Sequence, residues 1–262
     1  MRIAVIGAGK IGSAVAKAFL DAGYQVTATR RKVEKLELLR RLGAEVTDDN
    51  RYACERADII IVCVKPVDVE GVLNEVREEI KGKIVISMAA SIKLSYLKKM
   101  VPEAYFVRVM PNLTVLVRES LVAYCFEPGF QKQLRDGIKR LLRTLGKPVE
   151  IEESKMDAIT ALSGCAPAYL SIIVEALTFA GLKVGLPKDI ALLSAAQAMI
   201  GTGKLITEEE MSPLEIRDAV ATPGGVTIEG LFQLEKLPLR YAFMKAVKAA
   251  EEKSKLISER FG

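Results

Sequence analysis

The chain has 262 residues, of which 50% are apolar and 27% are charged, with 38 basic side chains, 33 acidic ones and no histidine. This size and composition allow one large or two ordinary soluble domains with a sizeable core. The net charge of +5 is modest, and basic residues are interspersed with acidic ones, which argues against a nucleic-acid-binding stripe. The lack of histidine excludes an imidazole base and any histidine-ligated metal, so we expect no metal site.

The cellular location is also indicated by composition. Four cysteines without CxxC spacing favour a reducing cytoplasm and the absence of structural zinc. Residues 1–6 lead directly into a glycine-rich loop and show no signal-peptide pattern. No apolar run approaches the ~20 residues of a membrane helix. The sequence therefore predicts a cytoplasmic protein without a membrane partner.

The first 152 residues alternate short apolar, β-branched runs with helical patterns. Strands are predicted at 2–6, 25–29, 59–64, 83–87, 105–109, 121–125 and 148–151, and helices at 11–22, 33–42, 67–80 and 130–145. Strands that alternate with helices indicate βαβ units and a mainly parallel sheet. The fold class predicted for residues 1–152 is therefore an α/β, Rossmann-type doubly wound sheet.

A glycine-rich loop joins the first strand to the first helix. It consists of Gly7, Ala8, Gly9, Lys10, Ile11 and Gly12. In this context GxGxxG is typical of dinucleotide binding, because the glycines permit a tight turn and close approach of a pyrophosphate to the helix N-terminus. The alternative is a strand-to-helix turn without a ligand.

The end of the second strand predicts which dinucleotide binds. An NAD site usually has an acidic residue here, whereas this chain has Thr29, Arg30, Arg31 and Lys32. A hydroxyl and three cations suit a 2′-phosphate, so we expect NADPH, with NADH as the weaker alternative. The alternative is that these cations bind no phosphate and only form the solvent-exposed start of the next helix.

Later strand ends extend the predicted cofactor crevice, because ligands of such sheets lie beyond the carboxyl ends of the strands. The residues at these ends are Cys63, Val64, Lys65, Pro66, Ala89, Ala90 and Asn112.

After residue 152 the strand patterns stop and helical periodicity continues to the end. The segments 167–182 and 189–204 are apolar on more than one face, which requires cover on several sides. We therefore expect residues 153–262 to form an all-helical domain that dimerises with a second copy.

A turn interrupts these helices at Pro223, Gly224 and Gly225. Such a turn exposes consecutive backbone N–H groups at the start of a helix, which suits a small carboxylate.

Over its whole length the chain resembles pyrroline-5-carboxylate reductases. The matching segments are 7–12, 63–66, 108–112, 161–169, 185–187 and 213–235, in the family's order. The last is the most specific, with matches at Pro213, Ile216, Val220, Gly224, Gly225, Thr227, Gly230 and Leu234.

The resemblance implies NAD(P)H-dependent reduction of 1-pyrroline-5-carboxylate, a cyclic imine, to L-proline, the last step of proline biosynthesis. It implies a homodimer with interlocked helical domains, five of which often form a decamer. The site would combine the crevice of one subunit with the glycine turn of its partner. Thr227 would be the catalytic group at the ring nitrogen, and Asn50 would lie near the adenosine. The implied substrate residues are Thr222, Gly224, Gly225, Val226, Thr227, Glu153 and Glu210.

Several of these roles have plainer alternatives. Thr227 would also suit a helix N-cap, and Glu153 and Glu210 would suit first-turn or exposed helix acids. The chain departs from the family pattern at Ser91, Leu113, Cys165 and Ala166, which affects the expected pocket shape and ring-size preference.

Other functions remain open from the residues alone. A β-hydroxyacid dehydrogenase needs a Lys–Asn pair, and Lys183 and Lys204 have no asparagine partner. A deazaflavin-linked NADP reductase would not have the Pro-Gly-Gly-x-Thr turn. A nonenzymatic NADPH-binding regulator is the alternative from another class.

Overall fold

The computed structural model describes residues 1–261, and contacts divide them into two units. The first unit contains Met1–Pro167 together with the residues from Ala249 onward, and the second contains Ala168–Lys248. The predicted boundary at 152/153 marks the end of the strands, whereas the contacts of the first unit continue for one further helical segment and return at the end of the chain.

An eight-stranded sheet forms the centre of the first unit, in the order β3-β2-β1-β4-β5-β6-β7-β8. The strands are β1 Arg2–Ile6, β2 Gln25–Thr29, β3 Glu45–Thr47, β4 Ile59–Val62, β5 Ile84–Ser87, β6 Tyr105–Met110, β7 Ser120–Phe126 and β8 Gly146–Glu150. Neighbouring strands are parallel except β6 and β7, which are antiparallel. This confirms the doubly wound, mainly parallel sheet.

Seven helices accompany the sheet in the described part of the first unit before Ala166. They are α1 Lys10–Asp21, α2 Glu37–Arg41, α3 Asn50–Arg56, α4 Val69–Glu75, α5 Leu94–Met100, α6 Lys132–Arg143 and α7 Met156–Ile159. The predicted helix at 67–80 is shorter than expected, because it begins with a 3-10 turn at Pro66–Asp68 and ends at Glu75. Strand β3 and helix α3 had no prediction.

The central strands are buried on both faces. Along β1, Ile3 and Val5 belong to one apolar cluster, and Ala4 and Ile6 to another. Phe19 of α1 packs in the first cluster, and side chains of α4 and α5 pack in the second. Alternate side chains of a strand point to opposite faces, so the continuous apolar run in β1 supplies both cores. Each buried aliphatic side chain stabilises the sheet by about 1.5–3 kcal/mol.

The strand order reverses between β1 and β4, which lie side by side in the sheet. Ile6 is paired with Thr29 of β2 on one side and with Val62 of β4 on the other. Helices leave these two strands toward opposite faces, so a crevice opens at their carboxyl ends. This position is where the glycine loop lies.

The second unit is helical. It consists of most of α8 Ala166–Lys183, then α9 Lys188–Thr207, α10 Pro213–Val220, α11 Val226–Glu235 and the first part of α12 Leu239–Ser258. Helices α8 and α9 approach closely, since a Cβ on Gly181 would lie 2.6 Å from the Cβ of Ala191.

Large apolar side chains of the second unit are exposed in the single chain. Ile172 and Leu193 are each 64% exposed, and Met244 is 70% exposed. The stretches Glu153–Lys183 and Lys188–Thr207 are long and apolar enough to cross a membrane, so the expectation that no segment approaches that length is wrong. Length and composition are weak evidence for a span, because interface helices of soluble proteins share them.

Candidate functional site

The glycine loop fits a phosphate group at the start of α1. Gly7 has φ 84°, and a Cβ there would lie 2.5 Å from Cγ1 of Val64. A Cβ on Gly12 would lie 2.5 Å from the carbonyl oxygen of Gly7. Gly9 differs, because its nearest neighbour would be 4.0 Å away. Gly7 and Gly12 therefore allow the loop and helix to pack, and Gly9 leaves open space at the helix N-terminus, which favours an anion.

A cavity of about 640 Å³ lies beside this loop. Nine of the predicted cofactor residues line it: Gly7, Gly9, Thr29, Arg30, Arg31, Asn50, Cys63, Val64 and Lys65. Ala8, Lys10, Ile11, Gly12, Pro66, Ala89, Ala90 and Asn112 are absent from its lining. Arg31 is 94% exposed in its side chain and lies 3.5 Å from Asp68. An exposed guanidinium held by so weak a pair is free to turn to a phosphate.

Thr29 and Asn50 form a hydrogen-bonded chain at the floor of the cavity. The Thr29 hydroxyl donates to Oδ1 of Asn50 over 2.6 Å, and Nδ2 of Asn50 donates to Glu75 over 2.9 Å. The backbone N–H of Gly7 donates to Oγ1 of Thr29 over 3.4 Å. Thr29 is 1% exposed. Because its one proton goes to Asn50, Thr29 positions the glycine loop, and the neighbouring arginines are better placed for a phosphate.

The thiol of Cys63 is in this cavity, and its Sγ lies 3.6 Å from Sδ of Met88. Desolvation raises the pKa of Cys63 to about 12. The thiol is therefore protonated at neutral pH and unsuited to act as a nucleophile. Its neighbour Met88 begins the segment that contains Ala89 and Ala90, which connects this segment to the cavity wall.

Asn112 is engaged within the protein. Its Oδ1 accepts from the backbone and hydroxyl of Thr114, and its Nδ2 donates to the carbonyl of Ser163 over 2.9 Å. Ser163 belongs to a π-helical turn at Thr160–Gly164, and such turns are frequent at functional sites. Asn112 thus joins the end of β6 to this turn.

The two predicted acidic substrate residues lie in different units. Oε1 of Glu153 accepts from the backbone N–H of Leu94 over 2.7 Å and from Arg108 over 3.2 Å. Glu210 is exposed in the loop before α10, at φ 56°. Oε1 of Glu153 therefore has protein partners, and the substrate roles of Glu153 and Glu210 stay predictions.

The turn before α11 has the geometry expected of a carboxylate cradle. Gly224 has φ 69°, and Gly225 is the N-cap of α11. The backbone N–H of Gly225 donates to the carbonyl of Thr222 over 3.0 Å. A Cβ on Gly225 would lie 2.3 Å from Oγ1 and 3.1 Å from the carbonyl oxygen of Thr222, so a side chain there would displace Thr222. The first N–H groups of α11 follow directly, on Val226 and Thr227.

Thr227 is the second residue of α11, so the N-cap alternative for this threonine is wrong. No hydrogen bond is found for its hydroxyl among residues 1–261. The side chain is half-buried, beside the N–H groups of the first turn. A hydroxyl in that position is available to a ligand that the turn binds.

Several residues of the site had no sequence prediction. Asp48, Asp68 and Glu75 line the cavity. Asp48 follows β3, which had no prediction, and Asp68 and Glu75 end the 3-10 turn and helix α4 that replace the longer helix predicted at 67–80. Arg108 belongs to segment 108–112, which matches the reductase family, but it had no predicted role of its own. The one sequence signal for a buried cation was its position between apolar residues of a strand. No cluster of three or more His, Cys, Asp or Glu side chains that could hold a metal is found in the described chain.

Comparisons with protein families match the helical part and the glycine-loop part of the chain to two separate family models. The family model described as pyrroline-5-carboxylate reductase dimerisation matches residues 153–257. The model described as NADP oxidoreductase, coenzyme F420-dependent, matches residues 2–91, the part that contains the glycine loop.

Full-length relatives and solved structures are also similar. The pyrroline-5-carboxylate reductase of Methanosarcina acetivorans is 35% identical over 99% of this chain and 98% of its own length. The human pyrroline-5-carboxylate reductase 2 is 32% identical over 95% and 82%. A Plasmodium falciparum pyrroline carboxylate reductase with NADP bound superposes with a TM-score of 0.89 at 29% identity, covering 98% of both chains. The Coxiella burnetii enzyme gives 0.90 at 30%, with the same coverage.

Proposed function

Because this chain belongs to the pyrroline-5-carboxylate reductase family, we propose that it reduces 1-pyrroline-5-carboxylate to L-proline with NADPH, the last step of proline biosynthesis. The observation that carries the proposal is the turn at Thr222–Thr227, whose free N–H groups and hydroxyl suit a small imine carboxylate. The glycine loop and the cavity beside it suit the dinucleotide.

The residues around the cavity fit NADPH. The start of α1 would hold the pyrophosphate, and Arg30 and Arg31 would hold the 2′-phosphate, where an NAD site usually has a carboxylate. When bound, NADPH supplies the hydride. NADH is the weaker alternative for this site, because the arginines would then have no phosphate to pair with.

The residues of the turn orient the substrate. The N–H groups of Val226 and Thr227, which have no acceptor in the first turn of α11, would bind its carboxylate, and the Thr227 hydroxyl would contact the ring nitrogen. A cyclic imine is basic enough to be largely protonated near neutral pH, so its carbon already accepts hydride. The protein then needs orientation and exclusion of water more than a strong acid, which agrees with a chain that has no histidine.

The decisive experiment mixes the purified protein with NADPH and pyrroline-5-carboxylate and follows the loss of NADPH absorbance. We expect turnover, with a lower KM for NADPH than for NADH. The six-membered imine, assayed in parallel, measures ring-size preference. Cofactor binding without turnover of either ring would favour a nonenzymatic regulator and defeat the reductase proposal.

Thr227→Ala is expected to lower kcat about 10- to 100-fold, through loss of one hydrogen bond and some misorientation of the imine. Thr227→Ser keeps the hydroxyl and should retain most of the activity. Thr227→Val keeps the shape and should behave like alanine. An unchanged kcat/KM in the alanine variant would remove Thr227 from the mechanism.

The chain oligomerises through its dimerisation domain, and the exposed apolar side chains of α8 and α9 need the cover that a second copy supplies. We propose further that five dimers form a decamer, which light scattering distinguishes from a dimer. We also propose that the enzyme is cytoplasmic, without nucleic-acid or membrane partners. The four free cysteines support a reducing compartment.

A further inference from the structure

The segment 88–93 joins β5 to α5 and is buried for most of its length. It begins at Met88, whose sulfur contacts Cys63 in the wall of the cofactor cavity. In its middle, Ser91 adopts φ 63°, a left-handed conformation that costs a serine more than a glycine. The conformation of this segment therefore has to be held by contacts with its surroundings.

The first contact joins Ser91 to the last helix. Oγ of Ser91 lies 3.2 Å from Oγ of Ser254 in α12, and the two residues are 3% and 6% exposed. Ser254 in turn donates to Oδ1 of Asp157 over 2.8 Å. A hydroxyl has one proton and an ionised carboxylate only accepts, so Ser91 is the donor to Ser254. The hydrogen bonds therefore run in one direction, from segment 88–93 through α12 to Asp157.

The second contact holds the end of the segment. The N–H of Leu94, the first residue of α5, donates to Oε1 of Glu153 over 2.7 Å. Helix α5 has no side-chain cap from its own N-cap residue, Lys93. Glu153 therefore supplies from another element the acceptor that a capping side chain normally supplies.

Both contacts end on one buried cation. Arg108 places Nη1 3.2 Å from Oε1 of Glu153 and Nη2 3.8 Å from Oδ1 of Asp157, and its side chain is 4% exposed. Ser258 in α12 also donates to Oδ1 of Asp157, over 2.9 Å. We call Arg108, Glu153, Asp157 and Ser254 the Arg108 network; Ser258 contacts Asp157 but does not contact segment 88–93. The guanidinium balances both carboxylates, so each is held in the geometry that its donors require.

We propose that the Arg108 network fixes segment 88–93 for hydride transfer, through Ser254 to Ser91 and through Glu153 to Leu94. Ser91 and Ser254 are then positioning residues, and the end of α12 supports the cofactor site of the first unit. The sheet places this segment at the carboxyl end of β5, beside the crevice. The inference rests on the proposed reduction for its kinetic part only.

The test compares Ser254→Ala with Ser258→Ala in the full-length protein. Each removes one donor to Asp157 from the same end of α12, but only Ser254→Ala also removes the acceptor of Ser91. By hydrogen exchange without substrate, we expect the amides of residues 89–94 to exchange about tenfold faster in Ser254→Ala, and within about twofold of wild type in Ser258→Ala. The melting temperature should fall in both variants, and further in Ser254→Ala, which also leaves the buried Ser91 hydroxyl without its acceptor.

The kinetic readout is the single-turnover rate of NADPH oxidation at saturating substrate. It should fall about 3- to 10-fold in Ser254→Ala, corresponding to one hydrogen bond, and stay near wild type in Ser258→Ala. Ser91→Ala should reproduce the fall, and Ser91→Ala combined with Ser254→Ala should be no slower than either alone.

Equal exchange in the two serine variants would overturn the proposal, because the contact would then not hold the segment. Faster exchange with an unchanged single-turnover rate would overturn the positioning role. If the wild type itself does not reduce the imine, the proposed function fails, and the exchange of residues 89–94 still decides whether the network holds the segment.

Discussion

Gly12→Ala is expected to weaken NADPH binding by at least about 100-fold, or roughly 2.7 kcal/mol. The added Cβ would lie 2.5 Å from the carbonyl oxygen of Gly7 and 3.1 Å from the Cβ of Cys63. The carbonyl belongs to the backbone of the glycine loop, so it cannot rotate away as a side chain would. Helix α1 has to move off the loop, and its N–H groups no longer meet the phosphates.

Calorimetric titration with NADPH measures the affinity, and thermal unfolding measures the accompanying loss of stability, about 1–3 kcal/mol for overpacking. Two other glycine variants serve as controls for Gly12→Ala. Gly9→Ala meets its nearest neighbour at 4.0 Å, so it should keep wild-type stability and lose affinity by crowding the phosphate. Gly137→Ala lies inside α6 with open space around it, so it should leave the affinity unchanged and raise the stability by roughly 0.5–1 kcal/mol. Wild-type affinity in Gly12→Ala would contradict the assignment of the loop.

Arg108→Ala is expected to destabilise the first unit by about 3 kcal/mol, because it leaves two carboxylates without their cation. This value is at the low end of the destabilisation usually caused by breaking a buried ion pair, because the side chains of Glu153 and Asp157 are still 33% and 17% exposed. The loss should appear in urea unfolding at a fixed protein concentration, because an oligomer gains stability from association.

Arg40→Ala is the matched control. Arg40 pairs with Glu37 over 3.1 Å on the surface of α2, with about half of each side chain exposed, so its loss should cost less than about 1 kcal/mol. A triple variant, Arg108→Met with Glu153→Gln and Asp157→Asn, should recover part of the stability because the unpaired charges are gone. Equal losses in Arg108→Ala and Arg40→Ala would show that the buried cation is not structurally important.

The glycine loop could be predicted because its information is local. A run of buried β-branched residues, a tight turn and an amphipathic helix follow one another within 21 residues, and each is typical of one structure. Gly7 and Gly9 of this loop accordingly line the cavity. The glycine turn at residues 223–225 is similar, because Gly224 adopts a left-handed conformation that few residues accept and Gly225 lies close to Thr222.

The short polar elements β3 and α3 could not be predicted because they depend on residues far away in the chain. Strand β3 has three residues and Glu45 at its start, and α3 consists largely of polar residues. Neither contains a periodic apolar pattern, so both depend on neighbours. Strand β3 is held by its backbone hydrogen bonds with β2. Helix α3 has Asp49 as its N-cap, and the carboxylate of Asp49 accepts from the N–H of Tyr52. Consequently Asp48, which follows β3 in the wall of the cavity, had no prediction.

By itself the sequence determined the alternation of strands and helices, the dinucleotide loop, the glycine turn and the resemblance to the reductase family, since each depends on residues close together in the chain. Only the tertiary structure decided that Gly225 caps α11 in place of Thr227, and that Glu153 pairs with Arg108. The contacts within the Arg108 network, and the contact between Ser254 and Ser91, join residues 45 to 163 positions apart. A buried charge is stable only beside a partner of opposite charge, and the fold brings that partner close from a distant part of the chain. No local sequence pattern therefore indicates which residue the partner is.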